Sequence, residues 1–367
     1  MSTLADPDTP FAVVDRNRLS GNLTRLRERL EPRGVILRPH VKTAKSVDIA
    51  RLAFGGGPGP ITVSTVAEAE AFADAGFTDI TYAVGIDPHK LPRIRALNER
   101  GVTVRVVLDS ATQAEAVARN RVPALIEVDC DGHRAGVAAD SPQLIELGKI
   151  LADQDCLQGV LLHAGESYYA SSPSALAAAA ANERDVAVQA ANALRAAGLD
   201  APIVSVGSTP TAHADVDLTG VTEVRAGTYV FFDLFMAGLG ICTIEDLALS
   251  VVVTVTGHHS TKEQVFTDGG WTAISYDRST SSQAVDQGYG LVLALDGTPI
   301  PGLLMTDASQ EHGVLAMREG ELPDLPIGTR VRILPNHACS MADQHQRYAV
   351  VETGTDVTTT WPRIQGW

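Results

Sequence analysis

The chain has 367 residues, 45% of them hydrophobic and only 5% aromatic, enough apolar mass to bury one large or two ordinary domains. A formal net charge of −15 leaves no basic surplus to neutralise phosphates, so no nucleic-acid partner is expected. Four scattered cysteines, Cys130, Cys156, Cys242 and Cys339, supply neither a disulfide framework nor a CxxC pair, which fits a reducing compartment.

From the N-terminus, MSTLADPDTPFAVVD lacks the basic and apolar regions of an export signal, and no apolar run of about 18 residues follows anywhere. Neither export nor a membrane span is expected, and the cytoplasm is the expected location. Residues 9–15, TPFAVVD, have a strand pattern before any repeat begins and are expected to join a domain formed later in the chain. From residue 17 to about 230, short β-branched runs alternate with Ala/Leu/Arg-rich stretches of helical period. Eight strands are predicted: GVILRP from Gly34, ITVS from Ile61, ITYAVG from Ile80, VTVRVVLD from Val102, ALIEVD from Ala124, QGVLLH from Gln158, PIVSVG from Pro202 and VTEVRAG from Val221. Helical stretches such as TVAEAEAFADAG, SATQAEAVARN and SALAAAAANERDVAVQAANALRAAG separate them, each ending near Gly or Asn. Eight βα units predict an α/β fold, a (β/α)8 TIM-like barrel over residues 17–240, with its site at the carboxyl ends of the strands. Beyond that the texture changes. DLALSVVVTVTGHHS, EQVFTDGG, YGLVLALDGTP, TRVRILPNHA and RYAVVETGT predict a mostly antiparallel β domain over 241–367.

The first predicted strand delivers His40 and Lys42 to the barrel rim. The fifth delivers Asp129, His133 and Arg134, and the sixth delivers His163 followed by AGESYY. The seventh ends in GSTPT and the eighth in RAGTY. A lysine facing two glycine- and hydroxyl-rich loops is the pattern of a Schiff-base lysine beside a phosphate cradle, to which Ser208, Thr209 and Thr228 can donate. Each feature alone has a plainer reading. A strand-end lysine is usually solvated, GSTPT is a helix start with Pro210 at the first helical position, and Arg134 alone is an ordinary surface arginine. Their meeting on one rim, with the loops after strands seven and eight, favours the site. In the β domain, LPNHACSMADQH sets His337 and Cys339 two apart, which on a strand would give them one face. Imidazole plus thiolate suits zinc, with manganese or cobalt as alternatives; a buried free cysteine beside a hydrogen-bonded histidine is the competing reading.

Taken together, RPHVKTAK, EVDCDGHRAGV, HAGESYYA, VSVGSTPT, EVRAGTYVFFD, TDGGWTAISYDR, QEHG and PNHAC resemble the D-serine dehydratase and D-threonine aldolase family. These are fold-type III pyridoxal 5′-phosphate enzymes related to alanine racemase, and the motifs follow the family's order from TPFAVVD to RYAVV. The resemblance implies that Lys42, rather than Lys45, carries the cofactor and that Arg134 bonds its phenolic oxygen. It puts Gly207, Ser208, Thr209, Gly227, Thr228 and Tyr229 at the phosphate, with His40, His163 and Tyr168 completing the pocket. It also implies a divalent metal, zinc foremost, on His337 and Cys339, and a homodimer. Ala44 and Glu166 depart from the family's pattern, which often has His at both positions. In the resemblance HxC accompanies dehydratases and HxD aldolases. The implied reaction is therefore dehydration of a β-hydroxy-D-amino acid, such as D-serine or D-threo-3-hydroxyaspartate, to a keto acid and ammonia. The alternatives are retro-aldol cleavage of D-threonine or 3-hydroxy-D-aspartate, amino-acid racemisation, and a non-catalytic pyridoxal phosphate carrier, whose small relatives lack a second domain.

Overall fold

The computed structural model describes residues 2–352 and 354–367. The chain divides into two compact units, one of Thr24–Gly227 with Ile364–Trp367 and the other of Met1–Leu23 with Thr228–Arg363. The junction thus falls at Gly227/Thr228 and not at the expected 240/241. The reason is that the segment after Gly227 builds the core of the β unit: Phe231 packs its ring 5.7 Å from Tyr348, and Ala248 N donates to Phe231 O at 2.7 Å. No helix among the described residues is long and apolar enough to cross a membrane.

Strand β1 (Phe11–Asp15) belongs to the β unit, and the barrel unit follows it with β2 (Ile36–Leu37), β3 (Ile61–Val63), β4 (Asp79–Gly85), β5 (Thr103–Leu108), β6 (Ala124–Glu127), β7 (Leu157–Leu161), β8 (Ile203–Val206) and β9 (Glu223–Val224). These eight strands are parallel, in the order β2-β9-β8-β7-β6-β5-β4-β3. The ring closes where the chain beyond β2 meets β3: Thr62 N donates to Pro39 O at 2.8 Å and Val41 N to Thr62 O at 2.9 Å. The predicted (β/α)8 barrel is therefore present. Its helices start on hydroxyl caps, with Thr65, Ser110, Ser141 and Ser172 each accepting a backbone N–H of the first turn. Inside the barrel Val107, Leu125 and Leu161 pack together, and buried Arg38 donates from Nε to Glu223 at 2.7 Å and from Nη1 to Asp79 at 2.9 Å.

The β unit continues with β10 (Leu249–His259), β11 (Gln264–Thr267), β12 (Gly290–Ala294), β13 (Pro299–Ala308), β14 (Gly313–Met317), β15 (Arg330–Leu334), β16 (Arg347–Val351) and β17 (Val357–Pro362). Six of them close a ring, β11-β14-β13-β12-β15-β10, because the long β10 also pairs with β11 past a register shift between Val255 and Gly257. As expected for residues 9–15, β1 joins this unit, antiparallel to β10 and parallel to β16. Strands β13, β14 and β17 are absent from the sequence expectation.

Candidate active site

Beyond His40, whose N–H bonds Ala226 O at 2.8 Å, the chain turns sharply. Lys45 has a left-handed backbone (φ 45°) and sends Nζ to within 3.3 Å of Glu68, whose side chain is 0% exposed. Lys42 is exposed, and its Nζ makes no hydrogen bond or ion pair among the described residues. The two lysines that the sequence leaves in competition are thus separated: Lys45 neutralises a buried carboxylate, and Lys42 is available for chemistry.

The rim around Lys42 is cationic. Burial drives the His40 pKa well below its ordinary value, helped by Lys42, Arg225, His163 and Arg134. Burial and then Arg134 push His163 down to about 3. Both imidazoles are therefore neutral near pH 7, leaving Lys42, Arg134 and Arg225 as the charges that would meet an anionic ligand. His163 donates Nδ1–H to Gly207 O at 2.9 Å, which leaves Nε2 as an acceptor. Tyr168 lies with its ring 5.9 Å from that of His163. Arg134 is exposed. Glu166, also exposed, sits 3.7 Å from His133, and its N–H bonds Asp131 at 2.9 Å.

The GSTPT loop is built as a cradle. Gly207 has φ +141°, and a Cβ there would collide with the Arg225 carbonyl; a Cβ on Gly227 would lie 2.9 Å from Thr43 Oγ1. Ser208 caps the helix Thr209–His213, its Oγ accepting from Thr211 N at 3.2 Å while its own N–H bonds Thr211 Oγ1 at 3.1 Å. It also contacts Ser167 Oγ at 2.9 Å, so its hydroxyl is engaged. Thr209 Oγ1 is different: it is buried with no partner among the described residues. An orphaned hydroxyl beside two glycines whose Cβ would not fit suits a phosphate, and the residues present fit pyridoxal phosphate. Sequence reasoning missed two supports of this cradle. Buried Glu183 accepts from both Gly207 N and Ala164 N at 2.9 Å, and buried Arg225 donates to Ser205 Oγ and Leu162 O. Burial lowers the Arg225 pKa to about 10.

In the β unit the expected element is wrong. Strand β15 stops at Leu334, and His337 is instead the N-cap residue of the helix Ala338–Asp343, with φ −133° and ψ 111°. His337 and Cys339 nevertheless stay close enough to interact electrostatically, because the N-cap and the second helical residue share one turn. The loop is clamped by buried Asn336, which donates to Asp277 O at 3.0 Å and Gly288 O at 2.7 Å and accepts from Thr280 Oγ1 at 3.0 Å. Asp233 Oδ2 accepts from Ala338 N at 2.9 Å, and burial raises its pKa to about 6. Burial opposes charge on His337, but the Cys339 thiolate and the bond to Asp277 outweigh it and raise the pKa to about 11. Thr228 Oγ1, in the same unit, lies 3.8 Å from Cys339 Sγ. No group of three or more His, Cys, Asp or Glu able to hold a metal occurs among the described residues. A borderline-soft pair with its remaining positions open is the donor set of a catalytic rather than a structural metal.

A family model described as the alanine racemase N-terminal domain matches residues 14–234, and one described as a putative serine dehydratase domain matches residues 248–351. The D-threo-3-hydroxyaspartate dehydratase of Delftia sp. (strain HT23) is 50% identical over 378 residues, covering 100% of this chain and 99% of its own. The solved structure of that Delftia dehydratase superposes with a TM-score of 0.96 at 48% identity, covering 100% of both chains; a cysteine-to-alanine variant of a D-threo-3-hydroxyaspartate dehydratase, in a metal-free form, has the same TM-score of 0.96. The D-threonine aldolase of Filomicrobium marinum superposes with a TM-score of 0.84 at 27% identity, covering 99% of this chain and 96% of its own.

Proposed function

Since the chain belongs to the D-serine dehydratase and D-threonine aldolase family of alanine racemase-like enzymes, we propose that it is a dehydratase dependent on pyridoxal phosphate and a divalent metal. Its substrate is a β-hydroxy-D-amino acid, D-threo-3-hydroxyaspartate foremost. The reaction removes water across Cα–Cβ, and hydrolysis of the product gives the keto acid and ammonia. The observation that carries this reading is the 50% identity to a dehydratase of that substrate over the full chain, in a sequence that keeps the His337–Cys339 pair.

When bound, pyridoxal phosphate supplies an electron sink that acidifies the substrate Cα–H. A divalent metal on His337 and Cys339 supplies Lewis acidity that lets a β-hydroxyl leave. The remaining work belongs to side chains of the chain. Lys42 would hold the cofactor through Nζ, and the same amine would serve as the base for the substrate α-proton. Arg134 bonds the phenolic oxygen. Thr209 Oγ1 and the backbone at Gly207 and Gly227 would hold the phosphate, with Ser208 capping the helix there; Thr228 and Tyr229, which follow Gly227 in the chain, are assigned to the phosphate by the family resemblance. His163 presents Nε2, and His40 and Tyr168 complete the wall. Glu166 would repel a dicarboxylate, and His133 at 3.7 Å offsets that charge when protonated. Zinc as the metal, a homodimer and a cytoplasmic location belong to the same proposal: zinc rests on the imidazole–thiolate pair and the family resemblance, the homodimer on that resemblance, and the location on the scattered cysteines.

Purified protein is assayed with D-threo-3-hydroxyaspartate, its erythro isomer, D-serine and D-threonine, scoring keto acid plus ammonia against glycine. Keto acid and ammonia in equal amounts are expected from D-threo-3-hydroxyaspartate. Glycine with no keto acid from any of the four would replace the dehydratase with the aldolase.

A further inference from the structure

The His337–Cys339 loop is anchored by polar side chains from several parts of the β unit. Asn336 already ties the backbone before His337 to two carbonyls, and Asp233 ties the backbone after it through Ala338 N. The Asp277 carboxylate adds nothing to either anchor. Its Oδ2 lies instead 3.2 Å from His337 Nδ1, and Ser340 Oγ lies 3.0 Å from the same nitrogen. Asp277 is itself fixed: Oδ1 accepts from Ser279 N at 2.8 Å, its N–H bonds Ser275 Oγ at 2.9 Å, and its carbonyl is one of those that Asn336 holds.

We propose that Asp277 is a positioning residue for the metal, holding His337 by Nδ1 so that only Nε2 faces the ion. The inference rests on reading His337 and Cys339 as metal ligands and goes beyond it by choosing the nitrogen and the residue that sets it. An ionised carboxylate only accepts, so the proton of the neutral imidazole stays on Nδ1 and the lone pair stays on Nε2. The bond also fixes the ring plane and makes the imidazole a better donor, the role that a carboxylate behind a ligating histidine generally plays. Asp277 need not touch the metal or the substrate.

The test is zinc affinity of the cofactor-loaded enzyme, measured by competition with a chromophoric chelator, in wild type, Asp277→Ala and Asp277→Asn. Asp277→Ala should bind zinc about 10- to 100-fold more weakly. Asp277→Asn, whose amide oxygen still accepts from Nδ1–H, should recover part of the loss, and it also serves if the alanine variant does not fold. Nitrogen-15 histidine spectra of the zinc-loaded wild type should show His337 protonated at Nδ1 and metal-bound at Nε2. Thermal midpoints and cofactor absorbance of Asp277→Asn should match wild type, since backbone anchoring passes through Asn336 and Asp233. Equal zinc affinity in wild type and both variants, or zinc on Nδ1, overturns the role of Asp277 alone. A wild type that binds no zinc overturns the ligand reading as well.

Discussion

The two units solve the same problem in different ways. In the barrel unit, the side chains proposed for the site arrive at the rim because parallel strands end there, and each stands within a few residues of its strand: Lys42 beyond β2, His163 beyond β7, Thr209 beyond β8. In the β unit, His337 and Cys339 leave the strand altogether. Asp277 holds the His337 ring, Asp233 holds the backbone at Ala338, and Asn336 ties the preceding turn to Gly288, so the contacts come from separate parts of the chain. Repetition of backbone positions the first set and individual side-chain contacts position the second.

The sharpest way to break this contrast is at the two lysines. Lys42→Ala should abolish the visible absorbance of the bound cofactor and lower kcat by at least the 10²- to 10⁴-fold, roughly, that a positioned base supplies. Lys45→Ala should keep the absorbance and instead destabilise the fold by about 3 kcal/mol, because Glu68 is left charged and buried. Denaturant unfolding and a spectrum of each variant decide it; a Lys42→Ala protein that keeps the band while Lys45→Ala loses it reverses the assignment.

A smaller effect separates two neighbours in the cradle. Thr209→Val, which removes the orphaned hydroxyl, should weaken pyridoxal phosphate binding about tenfold, as loss of a hydrogen bond to a charged group implies, with little change in stability. Ser208→Ala should do the opposite, costing about 1 kcal/mol through its cap with little change in affinity. Titration with the cofactor and thermal unfolding of both variants check this pair.

A further effect is on pH dependence. Burial lowers the His213 pKa from 6.5 to about 4, so above pH 6.5 neither folded nor unfolded chain protonates it and stability is unaffected. As the pH falls from 6.5 toward 4 the unfolded chain takes up a proton that the native one refuses, and stability declines. His163, lowered to about 3, extends the same trend further into acid. Denaturation midpoints between pH 8 and 4 should show this acid limb, and His213→Gln should flatten it; a limb unchanged in that variant would assign it to other groups.

What was legible in the sequence follows the same line. The eight barrel strands are β-branched runs of regular spacing, and the helices between them carry hydroxyl caps. Strand β13 was hidden by Pro299, Pro301 and Gly302, which interrupt the pattern of a strand that the closed ring nonetheless pairs on both sides. Strand β17, VTTTWP, has three consecutive threonines at its centre in place of an alternating apolar pattern. Glu183 lay in an NERD stretch that reads as a solvated helix face, although it is buried under Gly207. Ser208 read as a phosphate donor, but its hydroxyl closes a capping box. The metal pair was legible as residue types and not as geometry, because nothing local in PNHAC says that the strand has ended or that Asp277 stands behind the imidazole.

The central claim is that the two cofactors do separable work, one held by the barrel and the other by the His337–Cys339 pair. It is tested most directly by stripping metal from the cofactor-loaded enzyme with a chelator and following ammonia release from D-threo-3-hydroxyaspartate. The account predicts that release stops while the cofactor absorbance stays in place, and that adding zinc restores it. Undiminished ammonia release from metal-free enzyme would contradict it.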